Sequence, residues 1–211
     1  MATDVVFIAQ LTARVKKVEH GFVGIRKAAD EAGRRLATPT RLTLAKHLIA
    51  DPTVQVRSLG VFMLGDLASR SAPALKVLRD VVANDADWRV QEILAKAFDA
   101  YCAAVGYAEA LPTIDAWLAH RNANVRRAVS EGLRIWTGRP FFKDRPEEAV
   151  RRLSALRADP SDYVRRSAGN ALRDIARKHG ALVRAEIATW DAEDPAIAQT
   201  LAHVRQRGGR Q

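Results

Sequence analysis

The sequence predicts an all-α fold of stacked helix pairs, and two observations predict it. A short motif returns four times along the 211 residues, and apolar residues recur at helical spacing with no sustained strand-like alternation. The motif reads Asp51-Pro52-Thr53-Val54-Gln55-Val56-Arg57, Asp85-Ala86-Asp87-Trp88-Arg89-Val90-Gln91, Asn122-Ala123-Asn124-Val125-Arg126-Arg127 and Asp159-Pro160-Ser161-Asp162-Tyr163-Val164-Arg165-Arg166. Aligned on Val56, Val90, Val125 and Val164, its spacings are 34, 35 and 39 residues.

A period of about 40 residues with a helix pair in each unit marks HEAT and armadillo repeats. The expected fold is therefore a HEAT/ARM-like α-α superhelical solenoid, one domain over residues 1–211. The motif has a physical reason. Asp, Asn or Ser ahead of the valine can cap a helix by accepting a free backbone N–H. The valine then heads an apolar stripe that one helix pair cannot bury alone. Helices are expected over 4–17, 21–36, 39–50, 54–69, 73–84, 87–104, 107–119, 123–137, 146–158, 161–179, 181–190 and 195–206. Breakers such as Gly21, Pro52, Pro73, Gly106, Pro140, Pro146, Pro160, Gly180 and Pro195 fall between them. Segment 137–146 reads as irregular, and it is both basic and aromatic. The tail from Arg205 to Gln211 is expected to fray.

Each residue advances about 100° around a helix. From the anchor valine, the residues at +2, +6 and +9 share the face opposite the core. They are Glu92, Lys96 and Asp99 in the second repeat, Arg127, Glu131 and Arg134 in the third, and Arg166, Asn170 and Arg173 in the fourth, with Arg177 a turn later. Stacked repeats are expected to align these faces on a concave surface, in a curved stack with a right-handed look, placing Glu92, Glu131, Arg127, Arg166 and Arg173 there. Arginines on such a strip suit the phosphates of a duplex. A solvated face with Glu131 bridging Arg127 and Arg134 accounts for the same residues. Trp88 lies four residues before Glu92 on one helix face, and an exposed aromatic among cations suits base stacking. Glu92 reads either as a surface ion-pair partner or as a carboxylate that steadies positive charge at a sugar carbon.

The chain carries 34 Lys and Arg against 24 Asp and Glu, a formal net charge of +10, which points to a polyanionic partner. The single cysteine, Cys102, excludes an intramolecular disulfide and suits a reducing compartment. With Asp4 ahead of a short apolar run, residues 5–8 do not read as a signal peptide, and a cytoplasmic, nucleoid-associated location is expected. His20, His47, His120, His179 and His203 are scattered without ligand spacing, so no metal is expected. No phosphate-binding loop, dinucleotide fingerprint or nucleophile elbow is present. Cys102, Trp117 and Met63 read as core.

Four stretches resemble the bacterial HEAT-like-repeat DNA alkylation repair glycosylases, the AlkC/AlkD group. Trp88-Arg89-Val90-Gln91-Glu92 is similar to the group's tryptophan followed four residues later by an acid. Asn124-Val125-Arg126-Arg127-Ala128-Val129-Ser130-Glu131-Gly132 resembles the Val-Arg-Arg…Ser-Glu-Gly motif of the AlkC branch. The run from Asp159 to Ser167, with Asn170, Leu172, Asp174 and Ile175, is similar to the same branch, and Ala181-Leu182-Val183 with Trp190 fits the helix that follows. These stretches span residues 85–190 and place the chain closer to AlkC. Two positions depart from the pattern. Arg139 stands where the AlkC branch has a tryptophan eight residues beyond its glutamate, and position 92 holds Glu rather than Asp.

The resemblance implies excision of N-alkylated purines of the 3-methyladenine and 7-methylguanine type, by a monomer acting on double-stranded DNA without a cofactor. It implies catalytic roles for Glu92 and Glu131. Trp88, Trp136, Phe141 and Phe142 are the expected substrate-facing aromatics. Arg126, Arg127, Arg134, Arg139, Arg165, Arg166 and Arg173 are the expected phosphate contacts. A non-catalytic DNA-binding relative and a scaffold for an acidic protein partner stay open as alternatives.

Overall fold

The structure, a computed structural model, describes residues 2–206, with side chains from Val5 onward. Of the tail expected to fray, residues 207–211 lie outside the described residues. Twelve α-helices and two short 3-10 turns are present, with no strand among the described residues. Two compact units result, Met1–Ala104 and Val105–Gln211.

The first unit holds α1 (Ala2–Lys16), α2 (Val23–Arg35), α3 (Thr38–Leu48), α4 (Val54–Ala68), α5 (Ala72–Asp80), a 3-10 turn Val82–Asn84 and nearly all of α6 (Trp88–Val105). Its centre is α4, which packs on α1, α2, α3 and α5. That position explains why eleven of its fifteen residues are buried. Ile25, Leu59, Met63, Leu64, Ile93 and Leu94 fill the core between these helices. The second unit holds α7 (Leu111–Leu118), α8 (Ala123–Gly132), a 3-10 turn Trp136–Gly138, α9 (Pro140–Asp144), α10 (Pro146–Ser154), α11 (Asp162–Ile187) and α12 (Pro195–Arg205). Here α11 packs on α8, α10 and α12. One non-helical residue, His179, kinks α11 beside Gly180, where the sequence places a break.

All four anchor valines are at most 1% exposed. The expected capping is made at α8 and, by Asp87, at α6, while Ser161 at α11 and Thr53 at α4 make no side-chain cap bond. Asn122 caps α8 by accepting from the Asn124 N–H at 2.8 Å. Asp51, Asp85 and Asp159 likewise accept the N–H two residues on, at 2.7, 2.8 and 2.9 Å, but from ahead of the helix start, where they fold the turn that leads into it. The residue after each anchor then ties the loops together. Arg57 donates to the Asp51 and Pro52 carbonyls and pairs with Asp85 of the next repeat at 2.6 Å. Arg126 does the same with the His120 and Arg121 carbonyls and Asp159, again at 2.6 Å. Arg165 reaches the Asp159 carbonyl and Gln199. Gln91, shorter, holds only its own loop through the Val82 and Asp85 carbonyls.

The third motif helix ends earlier than its apolar pattern suggests. The expected helix 123–137 stops at Gly132, and Ile135 takes the left-handed region at φ 60°. Segment 140–144, expected to be irregular, forms the short helix α9. Helix contacts elsewhere are close. A Cβ on Gly169 of α11 would sit 2.6 Å from the His203 Cβ and 2.9 Å from the Thr200 carbonyl oxygen of α12. Gly169→Ala is therefore expected to cost about 1–3 kcal/mol, read as a lower chemical-denaturation midpoint.

Candidate nucleic-acid interface and carboxylate site

In the second unit, the exposed faces of α8 and α11 lie side by side. Ser167 donates its hydroxyl to Glu131 at 2.8 Å and accepts from the Ser130 hydroxyl at 2.9 Å. Arg134 pairs with the other Glu131 oxygen at 3.2 Å and with Asp174 at 3.1 Å, and Arg177 reaches Asp174 at 3.6 Å. The Glu131 side chain keeps 17% of its exposure. Its carboxylate is thus fixed from two sides yet open to solvent. Burial works against the Arg134 charge, but Asp174 and Glu131 outweigh it and hold the guanidinium above its ordinary pKa.

Further cations lie on these two helices. Arg127 and Arg166 lie over the Tyr163 ring, 5.4 and 5.6 Å from its centroid, and Tyr163 is 53% exposed. This is a cation–π cluster that presents two guanidinium groups and one phenol to solvent. Burial and the positive field of Arg166, Arg173 and Arg165 push His203 below its ordinary pKa. Arg173 is held loosely at the His203 carbonyl and Gln206, at 3.3 and 3.4 Å. Replacing Arg127 and Arg166 together with Ala is expected to flatten the slope of log affinity against log salt by about 1.8, or 0.9 per phosphate contact. Titration of a duplex at several salt concentrations checks it, and an unchanged slope excludes both residues as phosphate contacts.

In the first unit, Trp88 opens α6 and is 66% exposed. Glu92 follows one turn later with its side chain 32% exposed, paired to Lys96 at 3.3 Å. An apolar cavity of about 400 Å³ lies nearby, lined by Phe22, Phe62, Gly65, Ala97 and Lys96 among others.

Several expected contacts take other places. Trp136 and Phe142 are fully buried and stack edge-on at 4.8 Å, so they form core and not a substrate-facing surface. Phe141 is half-buried against Phe142 with Arg145 over its ring. Arg126 is 9% exposed and bound to Asp159, and Arg165 is committed to its loop and Gln199. These two arginines turn their donors to partners within the protein, Arg126 in a buried pair and Arg165 at its loop and Gln199. Arg139 is half-buried and reaches the Gly132 carbonyl at 3.4 Å. The sequence reading missed Tyr163, Ser167 and Asp174. Ser167 lies three residues after the Val164 anchor, on the core side of α11, and is 3% exposed, but its hydroxyl points onto Glu131. A hydroxyl at an otherwise apolar anchor+3 position was the available signal.

Among the described residues, no group of three His, Cys, Asp or Glu side chains could hold a metal, and no helix is long and apolar enough to cross a membrane.

Comparison with known proteins places the fold. The chain superimposes on AlkD2 from Streptococcus mutans with a TM-score of 0.90 and 43% identity, over 93% of this chain and 95% of that one. The smu.31 protein of Streptococcus mutans UA159 gives 0.88 and 41%, over 93% and 97%. The expected all-α, HEAT-like solenoid class is the fold observed. Pseudomonas fluorescens alkylpurine DNA glycosylase AlkC, bound to DNA with an abasic site analog, shares the fold at 24% identity and a TM-score of 0.50, over 94% of this chain and 61% of that one. The placement closer to AlkC is thereby corrected, because the likeness to AlkD2 is the greater in both identity and superposition. The uncharacterized protein YhaZ of Bacillus subtilis (strain 168) is 36% identical over 93 residues, and this chain matches only 26% of its length. The model of the DNA alkylation repair enzyme family matches residues 16–203, nearly the whole repeat array, and the chain belongs to that family.

Proposed function

We propose that the protein is a DNA glycosylase that hydrolyses the N-glycosidic bond of N-alkylated purines, as a cytoplasmic monomer on double-stranded DNA and without a cofactor. One observation carries the proposal: the Glu131 carboxylate, fixed by Ser167 at 2.8 Å and Arg134 at 3.2 Å, stands on a face that also bears Arg127 and Arg166. Arginines bring phosphates to such a face, and a preorganised carboxylate suits a cation that develops near them.

The chemistry balances without further reactants. Alkylation at a ring nitrogen makes the purine cationic. When the C1′–N bond breaks, its electron pair goes to the base, which leaves neutral, and positive charge appears on the sugar. A carboxylate opposes that charge and orients a water. The water oxygen bonds to C1′ and releases a proton, leaving an abasic site. In this reading Glu131 supplies the carboxylate. Glu92, beside exposed Trp88 and Lys96, is the other candidate for that role.

The test is incubation of methylated genomic DNA with the protein and quantification of free 3-methyladenine and 7-methylguanine. Release above the spontaneous rate is the expected result. A specific observation favours a second reading. Trp136 and Phe142 are buried, so two of the aromatics expected to face a lesion are unavailable. Duplex binding without release would establish the non-catalytic DNA-binding alternative.

A further inference from the structure

Segment 134–145 combines cations with aromatic rings, and its rings turn mostly inward. Trp136 and Phe142 are fully buried, and Phe141 packs edge-on against Phe142 at 5.1 Å. Tyr107 adds a fourth ring at 6.4 Å from Phe142. The aromatics are therefore an anchor. What the anchor holds outward is net cationic, with Lys143 and Arg145 exposed on either side of exposed Asp144 and Arg139 half-buried, together with Pro140 and one large apolar side chain, Ile135.

Ile135 is unusual in two respects. It is 57% exposed, a large apolar side chain left in water. Its backbone also sits at φ 60°, ψ 48°, the one non-glycine residue with positive φ among the described residues. Branching at Cβ makes this region especially unfavourable, whereas glycine enters it freely. The free protein thus bears an unfavourable backbone and an unburied side chain at one position, and the turn that buries Trp136 does not require that the side chain there be a large apolar one. Such outliers persist where a function needs the geometry. The geometry is also locked. The Gly138 N–H donates to the Ile135 carbonyl at 2.7 Å, and buried Trp136 follows directly. Arg134, directly before it, is pinned to both Glu131 and Asp174. Ile135 is therefore presented at a fixed place four residues beyond Glu131.

We propose that Ile135 is an apolar wedge that enters a weakened base step of duplex DNA, with Lys143 and Arg145 on the flanking phosphates. This inference rests on the DNA-repair reading above and adds how the protein finds a damaged step. Apolar wedges between base steps unstack and kink a duplex. Opening is easiest where pairing is already impaired, so insertion favours a damaged step over an intact one. Insertion also buries the Ile135 side chain, which stands in water in the free protein.

The test uses the full chain and a duplex with one tetrahydrofuran abasic site flanked by 2-aminopurine. Wild-type protein is expected to raise 2-aminopurine emission and to prefer this duplex over an intact one. Ile135→Ala and Ile135→Gly are expected to lose the emission rise and to bind the abasic duplex about tenfold more weakly, with binding to intact duplex little changed. Ile135→Leu keeps most of both signals. Melting separates a wedge from a structural role. Ile135→Gly relieves the backbone and is expected to melt at or above the wild-type temperature while losing recognition. Wild-type emission and affinity from both the Ala and Gly variants would overturn the wedge alone. Failure of the wild-type protein to bind either duplex would overturn the DNA-repair reading and the wedge with it.

Discussion

Glu131→Gln is expected to slow release of 7-methylguanine by about 100-fold or more, the range seen when a preorganised electrostatic group is lost. The substitution is nearly isosteric. A glutamine oxygen still accepts from Ser167, and Arg134 keeps Asp174 as its partner. The lost Glu131–Arg134 pair is half-exposed and costs about 1 kcal/mol or less. DNA affinity should also persist, because Arg127 and Arg166 are untouched. A carboxylate that acts on developing charge matters in the transition state and little in the bound ground state, so the rate falls while binding holds. Glu92→Gln is expected to behave alike, with its surface pair to Lys96 worth little stability. Single-turnover release measured beside duplex binding checks both, and wild-type rates in both variants would remove the site assignment.

Arg126→Ala is expected to produce the opposite pattern, a loss of stability of about 3–5 kcal/mol. The Asp159 side chain is only 4% exposed and would lose its charge partner, and the His120 and Arg121 carbonyls would lose a donor. That loss is a large part of the ~5–15 kcal/mol by which domains are usually stable. Below its melting temperature the variant should keep the wild-type salt slope for DNA, because Arg126 faces Asp159 and not solvent. Arg127→Ala, one residue on, should do the reverse and leave melting nearly unchanged. Thermal melting and salt titration of the two variants give the comparison. Equal melting temperatures for Arg126→Ala and wild type would contradict the role assigned to Arg126.

This pair of neighbours shows where the sequence is legible and where it is not. The anchor valines could be found because buried apolar residues repeat at helical spacing, and Val56, Val90, Val125 and Val164 are all core. Arg126 and Arg127 are both cationic and lie about 100° apart on one helix, so charge alone cannot separate them. Position does separate them. An arginine follows the anchor in three of four repeats, at 57, 126 and 165, and an Asp or Asn opens every motif. That pairing of positions was the readable sign of a tie between loops. The end of α8 was hidden for a different reason. Leu133 and Trp136 continue the apolar spacing past Gly132, but they pack from a turn that the left-handed Ile135 creates. Periodicity reports burial and is blind to the backbone that delivers it. Trp136 and Phe142 were misplaced by the same blindness, since cations around an aromatic ring look alike whether the ring faces in or out. Glu131 could be located on its face by register, but the groups that hold it could not, because Ser167 and Asp174 come from a helix more than thirty residues on.

Cleavage of a glycosidic bond at the carboxylate on this basic face is read most directly with a duplex that holds a single 7-methylguanine, by counting free base against abasic sites under excess protein. Both products are expected to appear together in equal amounts, faster than spontaneous loss. A protein that binds this duplex fully while free base and abasic sites accumulate only at the spontaneous rate would contradict such cleavage.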